Sequence, residues 1–263
     1  YPRVVPHSDG AGVIDAVGDG VDGARVGRRV WVHGAQSYRA FGTAAEWTVV
    51  PDALAIDLPD EVSDEVGAAL GIPGITAHRA VFGDGPVTGQ TVVVHGVLGG
   101  VGRLAAQLAI RGGAIVIGTV RRAADLDEVP AGLDGAFSLD GTDEIVRQVD
   151  GVDRIVEVAF SDNVDLDAAI IRNGGVIAAY ATREDRPGFP FWPMLFDNVT
   201  IRLLGSDDLP AEAKARAARD LTTAAVAGAL VIPVDPMPLD QIAAAHDRVD
   251  AGTRDRIVLT IDT

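Results

Sequence analysis

The chain has 263 residues, 48% of them hydrophobic, and a formal net charge of −16. That length allows two moderate domains with a sizeable core, and the acidic field argues against nucleic acid or an anionic membrane surface as a partner. Cysteine is absent, which excludes disulfides, a thiolate nucleophile and any cysteine-ligated zinc or iron–sulfur site. No apolar run approaches the ~20 residues of a membrane span. Tyr1 to Val17 has neither a basic segment followed by an apolar stretch nor a small-residue cleavage site. A soluble, cytoplasmic protein is expected.

From Val4 to Asp57 short apolar runs such as Arg29-Val30-Trp31-Val32 alternate with Gly and Asp, and they read as antiparallel strands. From about Ile72 to Leu204 the rhythm becomes apolar strand, glycine turn, amphipathic segment, which is the pattern of parallel βαβ units. Strands are predicted at Thr91 to His95, Ile115 to Thr119, Ala136 to Ser138, Arg154 to Val158, Val176 to Tyr180 and Thr200 to Leu204. Several are nearly continuous in Val and Ile, as strands buried on both faces are. Helices are predicted at Val101 to Arg111, Thr142 to Val149 and Leu166 to Ile171, and Pro187 to Pro193 reads as a loop. Beyond Gly205 follow a helix at Ala211 to Ala227, a strand at Val231 to Val234, a helix at Leu239 to Val249 and a strand at Arg256 to Ile261. Six strands already complete a doubly wound sheet, so this tail is expected to return to the N-terminal β region.

The most specific feature is Val92-Val93-Val94-His95-Gly96-Val97-Leu98-Gly99-Gly100-Val101-Gly102, a strand running through a glycine cluster into the helical run from Leu104. Such glycines let the backbone turn tightly, approach a pyrophosphate without Cβ interference and aim helix N-terminal N–H groups at the anion. A glycine triplet alone signals only a tight turn; the strand before it and the helix after it are what point to a dinucleotide. NAD sites place an acidic residue roughly 20 positions further on, at the end of the second strand. This chain reads Gly118-Thr119-Val120-Arg121-Arg122 there. Two guanidinium groups in place of an acid suit a ribose 2′-phosphate, hence NADPH, although paired arginines at a helix start are also ordinary solvated surface.

No histidine has a carboxylate or nucleophile at a spacing that suggests a relay: His95 sits at a strand end, and His78 and His246 fall in helical patterns where packing is the default. Tyr38 and Thr43 lie in a loop, and Glu46 and Trp47 on a strand position, where surface or packing roles are expected.

With these features the chain resembles the medium-chain dehydrogenase/reductase superfamily, and within it the zinc-free, zeta-crystallin-like NADPH:quinone oxidoreductases. The resemblance is carried by Ser8 to Gly18, Gly71-Ile72-Pro73-Gly74-Ile75-Thr76-Ala77, the turn at Gly96 to Gly102, and Asn173-Gly174-Gly175. It implies an α/β fold: a GroES-like β catalytic domain, N-terminally incomplete in this chain, with an inserted doubly wound Rossmann domain and the cofactor in the cleft between them. The expected division is 1–72 and 206–263 for the catalytic domain and 73–205 for the Rossmann domain. Zinc-dependent members carry Gly-His-Glu where this chain has His7-Ser8-Asp9, so no catalytic metal is expected and His7 reads as a loop residue.

In similar reductases the loop after the fourth strand and the end of the fifth hold the nicotinamide half of the cofactor. By match these are Ser161 and Tyr180-Ala181-Thr182-Arg183, and Thr76 lies in a segment approaching the nicotinamide. The resemblance thus implies cofactor contacts at Thr76, Leu98, Gly99, Gly100, Val101, Gly102, Gly118, Arg121, Arg122, Ser161, Tyr180, Ala181, Thr182 and Arg183. Relatives have a small and a hydroxyl residue where this chain has Val97-Leu98, so Leu98 offers no side-chain hydrogen bond to phosphate. Asp255-Arg256 replaces the Gly-Lys pair common before their last strand, so no role is carried over to it. The expected function is hydride transfer from NADPH to a quinone or similar electron-poor acceptor without metal. An enoyl or enone reductase of the same fold and a non-catalytic cofactor-binding protein are the alternatives. The apolar strand Thr200 to Leu204 would be an exposed sheet edge, and a homodimer formed through it is expected.

Overall fold

A computed structural model describes residues 1–149 and 151–261. Its contacts divide the chain into two compact units, residues 1–75 with 206–263, and residues 76–205.

The first unit opens with three short strands, β1 (Gly10–Val13), β2 (Arg29–Val32) and β3 (Ala55–Asp57), which form an antiparallel sheet in the order β1-β2-β3. Val30, Val32, Ala35 and Ala55 make a small core on it. Trp31 is fully buried and its indole N–H donates to Thr222 Oγ1 at 3.1 Å, so the aromatic payload also satisfies its polar edge. Helix α1 (Asp64–Phe82) then breaks its own geometry at Gly71, where φ is −21° and ψ −126°. A Cβ there would lie 2.0 Å from Asp9 Cγ, so any side chain at 71 would have to displace the Asp9 carboxylate.

The second unit is a six-stranded parallel sheet. Its elements in chain order are β4 (Thr91–Val94), α2 (Gly100–Arg111), β5 (Ile115–Val120), β6 (Gly135–Ser138), α3 (Thr142–Gln148), β7 (Val152–Glu157), α4 (Phe160–Ile170), β8 (Ile171–Ala179), α5 (Phe191–Phe196) and β9 (Thr200–Leu203). The sheet order is β6-β5-β4-β7-β8-β9. This is the doubly wound arrangement whose strand order reverses between β4 and β7, and ligands of such sheets bind beyond the strand C-termini at that reversal. Val92, Val93, Val94, Val116, Ile155, Val156 and Ile177 are all fully buried, which explains why these strands read as unbroken apolar runs. Asp84 accepts from the buried Arg154 at 3.1 Å and from Arg202 on β9 at 2.8 Å, and Arg154 also donates to Ala80 O.

The chain then contributes α6 (Ala211–Val226), β10 (Val234–Pro238), α7 (Ile242–Asp250) and β11 (Arg256–Thr260) to the first unit, with β10 and β11 paired in parallel. Several elements differ from their sequence expectations: β8 starts at Ile171 rather than Val176, since Ile171 already pairs with Val152 across a register shift, α7 starts at Ile242 after a 3-10 turn at Leu239–Gln241, and three more depart as follows. Helix α4 starts at Phe160, not Leu166, because Asp162 and Asn163 are accommodated in its first turn. Strand β10 begins where the predicted strand at Val231 to Val234 ends, since Val231 is 64% exposed and only the later residues pair with β11. The proline-rich loop closes earlier than expected: Phe191, Trp192 and Pro193 form the first turn of α5, a position that tolerates proline. Among the described residues no helix is long and apolar enough to cross a membrane.

Ile155 is fully buried, whereas Ile115 at the start of β5 is 47% exposed. Ile155→Ala should therefore lower unfolding free energy by about 2–5 kcal/mol, and Ile115→Ala by less than about 1 kcal/mol, as measured by urea denaturation.

Candidate functional site

The end of β4 and the start of α2 form a backbone cradle. Gly96 takes a left-handed φ of +68°, and Gly99 and Gly100 are exposed. Gly99 caps α2 without any side-chain hydrogen bond, so the helix presents its first N–H groups unmet by side chains. The two glycines at the helix start differ in cause. At Gly102 a Cβ would lie 2.2 Å from the Gly96 carbonyl oxygen, so the fold itself requires glycine there. At Gly100, apart from its chain neighbours and the backbone of its own helix, no atom of the described residues lies within 4 Å of that position. The protein alone does not need glycine at 100; a ligand lying on the backbone would.

Leu98 is half-buried, and Val97, fully buried, donates its N–H to Thr119 O at 3.1 Å. Gly118 lies inside β5, where a Cβ would come within 2.8 Å of both Val97 and Leu133, so its missing side chain makes room for the turn. Val101 is half-buried in the first turn of α2.

Past β5 the two arginines part ways. Arg122 makes a two-pronged pair with the carboxylate of Asp125, at 3.1 and 3.0 Å. Arg121 is exposed and makes no ion pair among the described residues. It is the guanidinium left available to an anion.

On the other side of the strand-order reversal, the first turn of α4, which holds Ser161 where a loop is expected, is tied to the loop after β8. Phe160 N–H donates to Ala181 O at 3.1 Å, and Arg183 N–H donates to Ser161 Oγ at 3.2 Å. Arg183 also pairs with Asp162 at 3.2 Å, while Thr182 Oγ1 donates to Glu184 O. Tyr180 N–H donates to Glu157 O, and burial, with the neighbouring Glu157 charge, raises its phenol well above the ordinary range. Ser161, Tyr180, Ala181, Thr182 and Arg183 are therefore assembled in one place. Thr76 is buried in α1, and no hydrogen bond among the described residues links it to these residues.

Beneath the turn lies a polar cluster around His95, a residue that sequence spacing leaves at a strand end without a carboxylate partner and that the fold brings against two. His95, Thr119, Glu157 and Asp167 are 0% exposed and Asn163 is 6% exposed. The imidazole meets Thr119 Oγ1 through Nδ1 at 2.8 Å and Asp167 Oδ1 through Nε2 at 2.9 Å, with Glu157 Oε2 at 3.6 Å. Asn163 Nδ2 donates to both Glu157 oxygens at 3.1 Å, and Ala159 N–H donates to Oε1. Burial pulls the His95 imidazole down, but the Asp167 hydrogen bond and the two carboxylate charges outweigh it and leave it above its ordinary value. Burial pushes the Glu157 carboxyl up to about 7 against the pull of His95. Both ring nitrogens already have partners, so the geometry is that of a hydrogen-bonded network. The signal available in the sequence was a polar residue at or next to the C-terminal end of three neighbouring apolar strands: His95, Thr119 and Glu157.

In the first unit, the place of the zinc signature holds a different arrangement. His7 sits at a left-handed φ of 75° with its Nε2 3.1 Å from His246 Nε2. The Asp9 carboxylate, pushed up to about 6 by burial, accepts from Ile72 N–H at 2.9 Å and Arg256 at 3.2 Å. These bonds engage both groups within the protein. Tyr38 OH donates to Asp208 at 2.6 Å and Thr43 Oγ1 to Asp9 O at 2.5 Å, while Trp47 is 71% exposed. A shallow hollow of about 280 Å³ is lined by Arg39, Ala40, Phe41, Trp47, Thr48 and Val49.

Residues 1–60 match the alcohol dehydrogenase GroES-like domain family. A quinone oxidoreductase of Mus musculus is 31% identical over 261 residues, covering 94% of this chain and 76% of the relative. Among solved structures, an NAD-dependent alcohol dehydrogenase superposes with a TM-score of 0.84 at 25% identity, covering 99% of this chain and 83% of that one. A mycobacterial protein solved in complex with NADPH superposes with a TM-score of 0.79 at 27% identity, covering 95% and 81%. The chain belongs to the medium-chain dehydrogenase/reductase superfamily of oxidoreductases, among its quinone oxidoreductase-like members.

The contrast between the two glycines is testable without any ligand. Gly102→Ala should lower stability by about 1–3 kcal/mol, since the new Cβ forces the turn apart. Gly100→Ala should stay within about 0.5 kcal/mol of the parent in thermal denaturation.

Proposed function

We propose that this chain is an NADPH-dependent reductase that passes a hydride to a quinone or similarly electron-poor acceptor without a metal. The observation that carries this reading is the N-terminus of α2 at the strand-order reversal, with no side-chain cap and with a glycine at 100 that the fold itself does not require. These residues fit a dinucleotide: the backbone of Gly99, Gly100, Val101 and Gly102 would hold the pyrophosphate, with Leu98 and Gly118 shaping the turn. Arg121, unpaired among the described residues, would meet the 2′-phosphate, with Arg122 behind it already engaged by Asp125. Ser161 and Tyr180 to Arg183, already assembled by their own hydrogen bonds, would orient the nicotinamide half together with Thr76. The bound cofactor supplies the hydride; the protein supplies alignment and exclusion of water. A quinone needs no positioned Lewis acid, and the reduced oxygen can take its proton from solvent. The quinone oxidoreductase relatives and the NADPH-bound neighbour support this choice of acceptor and cofactor.

A homodimer is part of the proposal. Strand β9 is the edge of the sheet, and Leu203 is 77% exposed on it. The preceding α5 exposes Trp192 at 65% and Phe196 at 71%. An open strand edge flanked by exposed aromatic rings is suited to pairing with a second copy.

Oxidation of NADPH, followed by loss of its reduced-nicotinamide absorbance, should depend on added quinone and should exceed that of NADH. Turnover of enones but not quinones would move the acceptor class and leave the cofactor reading intact. Arg121→Ala should weaken NADPH roughly 10- to 100-fold with little effect on NADH, and Arg122→Ala should do much less; equal losses for both cofactors would remove the 2′-phosphate assignment. Light scattering at micromolar concentration should give twice the chain mass, and Leu203→Arg should shift it toward the monomer.

A further inference from the structure

Three of the segments assigned above to the cofactor start from strand ends that share one buried group. His95 is the residue before Gly96, Thr119 lies two residues before Arg121, and Glu157 ends β7 just ahead of Ser161 in the first turn of α4. The imidazole touches the other two and Asp167 of α4 within a fully buried space. The charged and titratable groups facing this space are His95 from the end of β4, Glu157 from β7 and Asp167 from α4. Tyr180, after β8, lies within the field of Glu157, and the neutral partners are Thr119 and Asn163.

Resting on the cofactor reading above, we propose that this cluster is a positioning element of the dinucleotide site and that the proton on Glu157 sets how strongly the turn above it holds the pyrophosphate. Ionisation of Glu157 adds one negative charge to this dry space, which already holds a second carboxyl group at Asp167, below backbone N–H groups that on the cofactor reading attract an anion. The Glu157 carboxyl is raised to about 7, so the change falls in the neutral range. Affinity should therefore fall as pH rises through about 7. By linkage, bound cofactor must raise the Glu157 carboxyl further.

The test compares NADPH dissociation constants of the full chain and of Glu157→Gln between about pH 6 and pH 8. The ratio of the two cancels the titration of the cofactor's own 2′-phosphate. The affinity of Glu157→Gln relative to the parent should rise by about threefold or more across that range as the parent ionises. If the variant folds poorly, carbon-13 NMR of labelled glutamate carboxyls in the parent serves instead: the signal titrating near neutrality should move to higher pH when NADPH is added. A constant affinity ratio, or a carboxyl titration indifferent to NADPH, overturns the proposal and leaves the cofactor reading standing. Failure of NADPH and NADH to bind at any pH overturns both.

Discussion

The approach of Gly102 to the carbonyl of Gly96 is the contact on which the rest of the second unit depends. A single methyl group at 102 would lie 2.2 Å from that oxygen, so strand, turn and helix can close only with glycine in place. Closure aims the α2 N-terminus along the extension of β4, next to β7 at the reversal of strand order. The helix dipole and N–H groups without a side-chain cap would then offer a local anion site on a chain whose overall charge is −16. Net charge governs what approaches from afar, whereas a dinucleotide is held by a few oriented donors at close range.

The same turn explains why polar groups are tolerated in the core directly below it. Burying His95, Glu157 and Asp167 side by side is costly unless each charge has a partner. The network provides two ring contacts for His95 and three hydrogen bonds from two donors for Glu157, but Asp167 Oδ2 has no partner among the described residues. An apolar core of the same shape would hold the strands at lower cost. A network that instead fixes the ends of β4, β5 and β7 relative to α4 is consistent with a site whose geometry matters more than its stability.

Much of this was legible in the sequence, for physical reasons. The parallel strands stood out because burial on both faces demands unbroken Val and Ile, as in Val92 to Val94. The turn stood out because only glycine meets its steric demand. The start of α4 was not legible: Phe160 to Asp165 carries Ser, Asp and Asn, residues that favour turns unless tertiary contacts such as Asn163 with Glu157 hold them in a helix. Strand β10 was displaced because proline at 236 and 238 discourages a strand assignment, yet both tolerate an edge position in a two-stranded sheet. The cluster around His95 was invisible to spacing arguments, since His95 meets Thr119 and Asp167, 24 and 72 residues further on, only once the sheet and α4 are assembled. Likewise, nothing in the pair Arg121-Arg122 revealed that Asp125 would claim one of them.

The central claim, that the N-terminus of α2 holds the pyrophosphate of a nicotinamide dinucleotide, is tested most directly by amide hydrogen exchange with and without saturating NADPH. The account predicts that the N–H groups of Gly99 to Gly102 exchange markedly more slowly in the complex, while those of the exposed end of β9 are indifferent to cofactor. Unchanged exchange at Gly99 to Gly102 under conditions where binding is independently demonstrated would contradict it and place the dinucleotide elsewhere.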